Sequence, residues 1–291
     1  MNTKFDIYHR QIRKNKFIKI FRGKKYLVMK YYIINQGYSY DINNPTSFTE
    51  KVNSRKIEKN KLYSLCADKI RVREYVKNKI GEKYLIPSLM IEKKLTASLF
   101  DKLPNQFVIK TASGSGTIEV VRDKSKLIKK DFLKIIKKYQ KVDFAFIWGE
   151  MFYKKIKNNI IVEKLLLDKN GKIPNDYKIH CFNNNGDKKF FIQVEIDRFE
   201  NRSRNIYNEK FELLPIKTGL ENSNYKIKKP KKLKELIEVA DRLSSDFKYV
   251  RVDLYYVDDK IYFGELTFTP AAGFSKFNDE KYNKLWGEYW R

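Results

Sequence analysis

Cysteine and histidine are scarce in this sequence of 291 residues: Cys66 and Cys181, His9 and His180, and no others. Two cysteines so far apart exclude a disulfide framework, and so few sulfur and imidazole ligands leave little from which to build a structural zinc site. That usage fits a reducing cytosol. No stretch approaches the roughly 20 apolar residues that a membrane span needs. The opening residues, Met1-Asn2-Thr3-Lys4-Phe5-Asp6, lack the apolar run of a secretory signal, so a cytoplasmic protein is expected. No Ser-His-Asp or Cys-His constellation is recognisable, which speaks against catalysis through a covalent side-chain nucleophile. Acid is also short: lysine and arginine number 62 against 35 aspartates and glutamates, a net charge of +27. Such an excess points to an anionic partner, whether nucleic acid, anionic lipid, polysaccharide or nucleotide. Lysine is nevertheless spread nearly everywhere, as in Lys124-Ser125-Lys126 and Lys228-Lys229-Pro230-Lys231-Lys232, so compositional drift also explains the surplus. A nucleic-acid interface would rest on charge alone and is not expected. Peripheral contact with an anionic membrane or glycan is the partnership the surplus would serve.

What is present is enough for one large or two modest cores, with 42% hydrophobic and 15% aromatic residues. Near the C-terminus, Val250-Arg251-Val252-Asp253-Leu254-Tyr255-Tyr256 and Ile261-Tyr262-Phe263-Gly264-Glu265-Leu266-Thr267 are β-branched and aromatic, and Val257-Asp258-Asp259-Lys260 between them reads as a turn. The three segments predict a hairpin with Asp253 on one strand and Glu265 on the other. Facing carboxylates on paired strands repel unless something positive lies between them, and a divalent cation is the common answer. Two hard oxygen ligands plus phosphate oxygens is how Mg²⁺ is usually held in nucleotide sites. Arg251, two residues before Asp253, shares its face. The plainer reading is a hairpin with a solvated polar face.

A second cluster lies upstream. Phe107-Val108-Ile109-Lys110 reads as a strand, followed by the small-residue loop Thr111-Ala112-Ser113-Gly114-Ser115-Gly116-Thr117 and the apolar run Ile118-Glu119-Val120-Val121. Glycine lets backbone N–H groups approach a phosphate, and lysine supplies charge. The order is not that of a Walker A loop, where the glycines come first and the lysine last. Such a loop is also often just a turn.

Elsewhere, residues 10–34 alternate basic and apolar groups and predict a helix, lying either on an anionic membrane or packed on the domain. Pro45 ends it, and Thr46 or Ser47 caps a helix starting near Phe48, with Glu50 in its first turn. Residues 60–80 read as a helix containing Lys69 and ending before Gly81, and residues 125–139 as a long basic helix. Residues 160–167 read as a buried strand followed by an Asp168-Lys169-Asn170-Gly171 hairpin turn. Residues 177–182 and 189–196 pair around Asn183-Asn184-Asn185-Gly186. Residues 231–245 predict an amphipathic helix with Leu233, Leu236, Ile237, Ala240 and Leu243 on one stripe.

Strand lysine, flexible loop and downstream acidic hairpin, in that order, resemble the ATP-grasp superfamily, and specifically its TupA-like branch, named from teichuronopeptide synthesis. The matching stretches run from Asn44-Pro45-Thr46-Ser47-Phe48-Thr49-Glu50-Lys51 through Ala67-Asp68-Lys69, Arg73-Glu74-Tyr75-Val76, Leu103-Pro104-Asn105-Gln106-Phe107-Val108-Ile109-Lys110 and Asp176-Tyr177-Lys178 to Val250-Arg251-Val252-Asp253-Leu254 and Phe263-Gly264-Glu265-Leu266-Thr267-Phe268-Thr269-Pro270. The resemblance implies an α+β ATP-grasp fold: a mainly helical region over residues 1–80, a small lid subdomain over 81–160 and a C-terminal antiparallel-sheet subdomain with the metal site over 161–291.

It also implies roles. Lys69 and Lys110 would reach the α- and β-phosphates of ATP, with Ser113, Gly114, Ser115, Gly116 and Thr117 closing over them. The backbone of Glu163, Lys164, Leu165 and Leu166 would pair with adenine. Asp176 would hold the ribose, and Lys178 would stay near the phosphates. Asp253 and Glu265 would bind Mg²⁺, with Thr267 where many ATP-grasp enzymes carry asparagine, and Arg251 would face the transferred phosphoryl group. Arg198, Arg202 and Arg204 offer cationic partners for a carboxylate substrate. The implied activity is an ATP-dependent carboxylate–amine ligase working through an acyl phosphate, attaching an amine or amino acid to a uronic or other sugar acid of a bacterial capsular or cell-surface polysaccharide. The competing reading is a glycosyltransferase of the same setting, although its usual close Asp-x-Asp pair is not seen.

Overall fold

The structure, a computed structural model, describes residues 4–196, 203–223 and 227–291. Helices α1 (Lys4–Gln36), α2 (Phe48–Arg55), α3 (Lys61–Cys66) and α4 (Val72–Ile80) come first. They are followed by β1 (Ser88–Glu92), α5 (Ala97–Asp101), β2 (Phe107–Thr111), β3 (Ile118–Val121), α6 (Lys129–Gln140) and β4 (Ile160–Glu163). The chain finishes with β5 (Asp176–Asn184), β6 (Asp187–Ile196), β7 (Ser203–Tyr207), α7 (Leu233–Ser244), β8 (Tyr249–Val257), β9 (Lys260–Thr267) and α8 (Glu280–Tyr289). No helix among the described residues is long and apolar enough to cross a membrane. Two compact units result: residues 1–28, 57–75 and 86–166 form the first, and residues 29–56, 76–85 and 167–291 the second.

The first unit holds a four-stranded antiparallel sheet in the order β1-β4-β2-β3. Strand β4 is buried along its whole length, as a central strand should be. On β2, Phe107 and Ile109 alternate inward and meet Phe132, Ile136 and Tyr139 of α6, spaced at one helical face. The helix expected over residues 60–80 is two helices. The Asp68 carboxylate accepts from the N–H groups of Ile70 (2.9 Å) and Arg71 (3.2 Å), a local turn that competes with helix continuation and restarts the chain as α4. Lys69 therefore sits in a turn. The expected Asp168–Gly171 turn forms, but no strands flank it. In the N-terminal part of α1, Asn15 donates to the Phe146 carbonyl (2.7 Å) and Gln11 to that of Ile147 (2.7 Å), while Ile12 packs among Val142, Phe144 and Ile147.

The second unit is built on a five-stranded antiparallel sheet, β7-β6-β5-β8-β9. Period-2 alternation gives it two unlike faces. Ile179, Cys181, Val250 and Val252 are buried on one, on the side where α7 packs on β5 and β8 with Leu236, Val239, Ala240 and Leu243 inward. Val239 takes the buried position expected of Ile237, which is half-buried. On the other face, Phe182, Phe191 and Tyr249 meet Phe48 of α2 and Trp286 of α8. Glu50 holds the α2 entry as expected, accepting from the N–H groups of Thr46 (2.7 Å) and Ser47 (3.1 Å). Helix α8 approaches that entry at Gly287, where a Cβ would lie 2.2 Å from the Thr46 carbonyl oxygen and 2.9 Å from the Ser47 Cα. We therefore expect Gly287→Ala to destabilise the second unit by about 2 kcal/mol through overpacking against rigid backbone. Lys284→Ala, on the exposed side of the same helix, should be close to neutral. Thermal melts of the two variants check this, and equal melting temperatures would refute the close approach.

Candidate active site

The expected hairpin forms, and Asp253 on β8 lies directly opposite Glu265 on β9. The register slips between Asp253 and Leu254, so Leu254 pairs with Phe263 and Gly264 is the extra residue. This bulge lets Phe263 stay on the apolar face with Leu254 while Glu265 joins Asp253 on the other. A side chain there would crowd the pair, since a Cβ would sit 3.0 Å from the Asp253 carbonyl oxygen and 3.2 Å from the Tyr255 ring.

Asp253 is buried and its carboxylate is fully engaged. Arg251 Nε donates to Oδ1 (2.6 Å) and Nη2 to Oδ2 (2.7 Å), while Lys178 Nζ on neighbouring β5 reaches Oδ2 (2.8 Å). Lys178 also pairs with Asp176 (3.4 Å). Arg251 Nη2 touches Glu265 Oε1 (3.4 Å) and Thr267 Oγ1 (3.1 Å), and the Thr267 hydroxyl donates to Glu265 Oε1 (2.9 Å). The structure thus brings Asp176, Lys178, Arg251, Asp253, Glu265 and Thr267 onto one face. Burial works most strongly against the charge on Lys178, but Asp253, Asp176 and Glu265 together hold its pKa above the ordinary lysine value. Arg251 is likewise pushed further up by Asp253 against the effect of burial. Among the described residues no group of three or more His, Cys, Asp and Glu is arranged to hold a metal alone. The donor set is two carboxylates and a hydroxyl, which suits an ion that completes its shell from phosphate oxygens and water.

The same face continues past Lys178. Glu195 takes Arg204 Nη2 (2.8 Å) and Gln193 Nε2 (3.1 Å), and Arg204 Nη1 reaches the Thr218 hydroxyl (3.1 Å). Since a carboxylate only accepts, Gln193 turns its carbonyl oxygen to His180 Nε2 (3.2 Å), and Nδ1 takes the Tyr249 hydroxyl (2.9 Å). Arg204, Arg251, His180, Gln193, Phe277 and Trp286 are among the residues lining a cavity of about 30 Å³, room for a group of a few atoms. Arg198 and Arg202 lie outside the described residues. His180, Gln193, Glu195 and Thr218 carry no motif. The signal that could have found the first three is the period-2 rule, continued from Lys178 along β5 and onto β6.

In the first unit, Lys110 leaves β2 and pairs with Glu163 on β4 (2.6 Å), which Arg73 also approaches (3.3 Å). Lys69 Nζ donates to the Gly114 carbonyl (2.5 Å). The base of the 113–117 loop is more firmly held than two glycines suggest. Ser113 bonds Asn158 through its N–H (3.3 Å) and hydroxyl (3.0 Å), Thr111 bonds Thr117 (2.6 Å), and the Phe144 ring occupies the space a Cβ at Gly114 would fill. Ser115 and Gly116 are the exposed tip. The segment 163–166 leaves the end of β4: the Lys164 N–H is taken by the Pro87 carbonyl (3.0 Å), Leu165 is buried and Lys164 is exposed.

His180 supplies a pH test. Burial first, and then the Arg251 guanidinium, press its pKa well below the ordinary 6.5. The unfolded chain then takes the proton before the folded one, so stability is whole above pH 6.5 and is lost as pH falls below it. Between about pH 7.5 and 5.5 the wild type should lose about 1.4 kcal/mol more than His180→Gln, measured by urea unfolding at each pH. Equal losses would refute the assignment of a neutral, buried imidazole.

The sequence matches the family model described as TupA-like ATPgrasp over residues 50–291. Among proteins of curated function, none matches. Solved structures to which the chain is similar include D-alanine–D-alanine ligase from Helicobacter pylori, at 16% identity over 78% of this chain and 61% of that one with a TM-score of 0.45. N5-carboxyaminoimidazole ribonucleotide synthetase (purK) in its ADP complex follows at 12% identity over 71% and 46%, with a TM-score of 0.43. D-alanine–D-alanine ligase from Bacillus anthracis complexed with ATP stands at 15% over 76% and 58%, with a TM-score of 0.39. The chain thus spans 46–61% of the length of these ligases. The family match takes in both antiparallel sheets and every strand of the site, and the chain belongs to the TupA-like ATP-grasp family.

Proposed function

We propose that the protein is an ATP-dependent carboxylate–amine ligase. The observation that carries this reading is the pairing of buried Asp253, clamped by Arg251 and Lys178, with half-exposed Glu265 on one sheet face. Asp253, Glu265 and Thr267 would hold Mg²⁺, which when bound offsets the negative charge of the phosphates. Lys69, Lys110 and the backbone of residues 113–117 take the phosphates, residues 163–166 the adenine, and Asp176 the ribose, with Lys178 beside the phosphates. An oxygen of the substrate carboxylate attacks the γ-phosphorus, ADP departs, and an acyl phosphate forms. The amine then attacks the acyl carbon and inorganic phosphate leaves. Neither step needs a side-chain nucleophile; the chain positions the reactants and stabilises charge. Arg251 stabilises the phosphoryl group in transfer, and Arg204, with Arg198 and Arg202, attracts the acid. The cavity bearing Arg204 and Arg251 is of a size to admit a carboxylate. The family, named from teichuronopeptide synthesis, favours a uronic acid of a surface polysaccharide as the acid, modified on the cytoplasmic side, where ATP is available.

Titration calorimetry should show Mg²⁺-ATP binding that weakens at least about tenfold in Glu265→Gln and in Asp253→Asn. Far-UV circular dichroism serves as a control, because Asp253→Asn strips an anion from two buried cations. With a productive acid, Arg251→Lys should keep ATP affinity and lose about a hundredfold in kcat, since it retains charge but not the planar fork. Hydroxylamine should convert the acyl phosphate to a hydroxamate. Unchanged affinity in both carboxylate variants overturns the site. ADP release without hydroxamate overturns the acyl phosphate, and product from a sugar nucleotide without ATP installs the glycosyltransferase reading instead.

A further inference from the structure

We propose that the outward face of the N-terminal half of α1 is a docking surface for an anionic phospholipid bilayer. This inference is independent of the ligase reading. It rests on how the helix is held. Gln11, Ile12 and Asn15 fix one face against residues 142–147 of the same unit through three side-chain-to-carbonyl bonds and an apolar contact. Lys16 and Lys19 lie along that packed side, over the Phe146 ring. The face opposite cannot turn inward while those contacts hold. It carries Arg10, Arg13, Lys14, Phe17, Ile20 and Phe21, spaced at three and four residues along one stripe, all exposed. Phe17 is 63%, Ile20 76% and Phe21 66% exposed, and the Phe17 and Phe21 rings touch at 4.3 Å between centroids, so the apolar atoms form one ridge.

A contiguous exposed ridge of this kind marks an interaction surface, whereas scattered apolar residues do not. The choice of occupant follows from charge and from what the ridge must bury. Arg10, Arg13 and Lys14 border the ridge, Arg22 and Lys25 follow it, and Asp6 is the one acid in the whole helix. A helix with aromatic and branched side chains among cations enters the headgroup boundary, its apolar groups reaching the acyl chains and its cations meeting anionic lipid. The long stems of Arg and Lys allow their charges to stay at headgroup level while the rings go deeper. An acidic glycan would answer the charge but would bury nothing against two phenylalanines and an isoleucine. A second copy of this chain would bring another strongly cationic surface, since the net charge is +27.

Vesicle co-sedimentation of the full chain tests this, using phosphatidylcholine vesicles with and without phosphatidylglycerol. Binding should be at least about tenfold tighter to the anionic vesicles, and should weaken with salt. Phe17→Ser/Phe21→Ser and Arg10→Glu/Lys14→Glu should each weaken it by about tenfold or more while leaving the melting temperature in place, because all four side chains are exposed. The decisive arm is the apolar one. If the phenylalanine variant binds anionic vesicles as well as wild type does, the attraction is that of a generally basic protein and the inference fails. It fails equally if wild type does not bind anionic vesicles, or if it binds polyuronate with the phenylalanine variant unaffected. If the phenylalanine variant instead abolishes a concentration-dependent dimer, the face belongs to a second copy and the inference fails.

Discussion

The carboxylate of Asp253, with two arginine nitrogens and one lysine nitrogen on its two oxygens, organises one end of the five-stranded sheet. Burying a carboxylate, a guanidinium and an ammonium together costs each its hydration, and their attraction offsets that only when geometry is close and the remaining polar atoms are bonded. Here the second condition is met by extension. Lys178 turns its remaining reach to Asp176, and Arg251 turns to Glu265 and Thr267. Farther along the same face Glu195, Arg204, Gln193 and His180 satisfy one another in a second set of bonds. Removing one member of either set would strand another, so each set holds as a unit. An apolar replacement of similar volume would often be as stable or more so. Stability alone therefore does not account for charges at this place; acting on an anionic substrate, as in the ligase reading, would.

That polar end depends on the apolar one. Phe182, Phe191 and Tyr249 continue the same sheet face, and Phe48 and Trp286 close over them. Gly287 admits α8 close enough to do so. Gly264 then sorts the two strands of the hairpin, sending Phe263 to the α7 side and Glu265 to the polar side. The first unit solves the same problem on a smaller scale. Lys110 and Arg73 converge on Glu163, an anion placed on a fully buried central strand.

Much of this was legible because β-strand geometry has a period of two. Arg251 and Asp253 could be assigned to one face from spacing alone, whereas Glu265 joins them only through the extra residue at Gly264; the Lys110 strand with its glycine loop was readable from composition. Three further features were not legible. The break between α3 and α4 depends on which way the Asp68 side chain bonds, and an aspartate in a helical pattern does not announce that choice. Glu163 reads as part of an apolar run, and its ionic role appears only once β4 is seen to lie beside β2. Gln193 and Glu195 join the site through the pairing of β6 with β5, a register the turn at residues 183–186 suggests but that no motif marks.

Thr267 shows how far the site's logic reaches. Set against the asparagine of the ATP-grasp pattern, threonine here looks like a loss, because its oxygen extends less far. In the structure the hydroxyl spends its proton on Glu265 Oε1 and accepts from Arg251 Nη2, so it orients the carboxylate and is itself oriented by the guanidinium. The Glu265 Oε1 and the Thr267 hydroxyl thus both face the guanidinium that clamps Asp253. In the ligase reading, anything that draws Arg251 toward a substrate anion would release acceptors from Asp253, Glu265 and Thr267 together. An asparagine amide would carry its own N–H donors and would not need the arginine to set its direction. In that reading threonine ties the Glu265 Oε1 and its own hydroxyl to the guanidinium that also holds Asp253, while Lys178 keeps its separate hold on Asp253 Oδ2, so a shift of Arg251 would change the surroundings of all three donors at once.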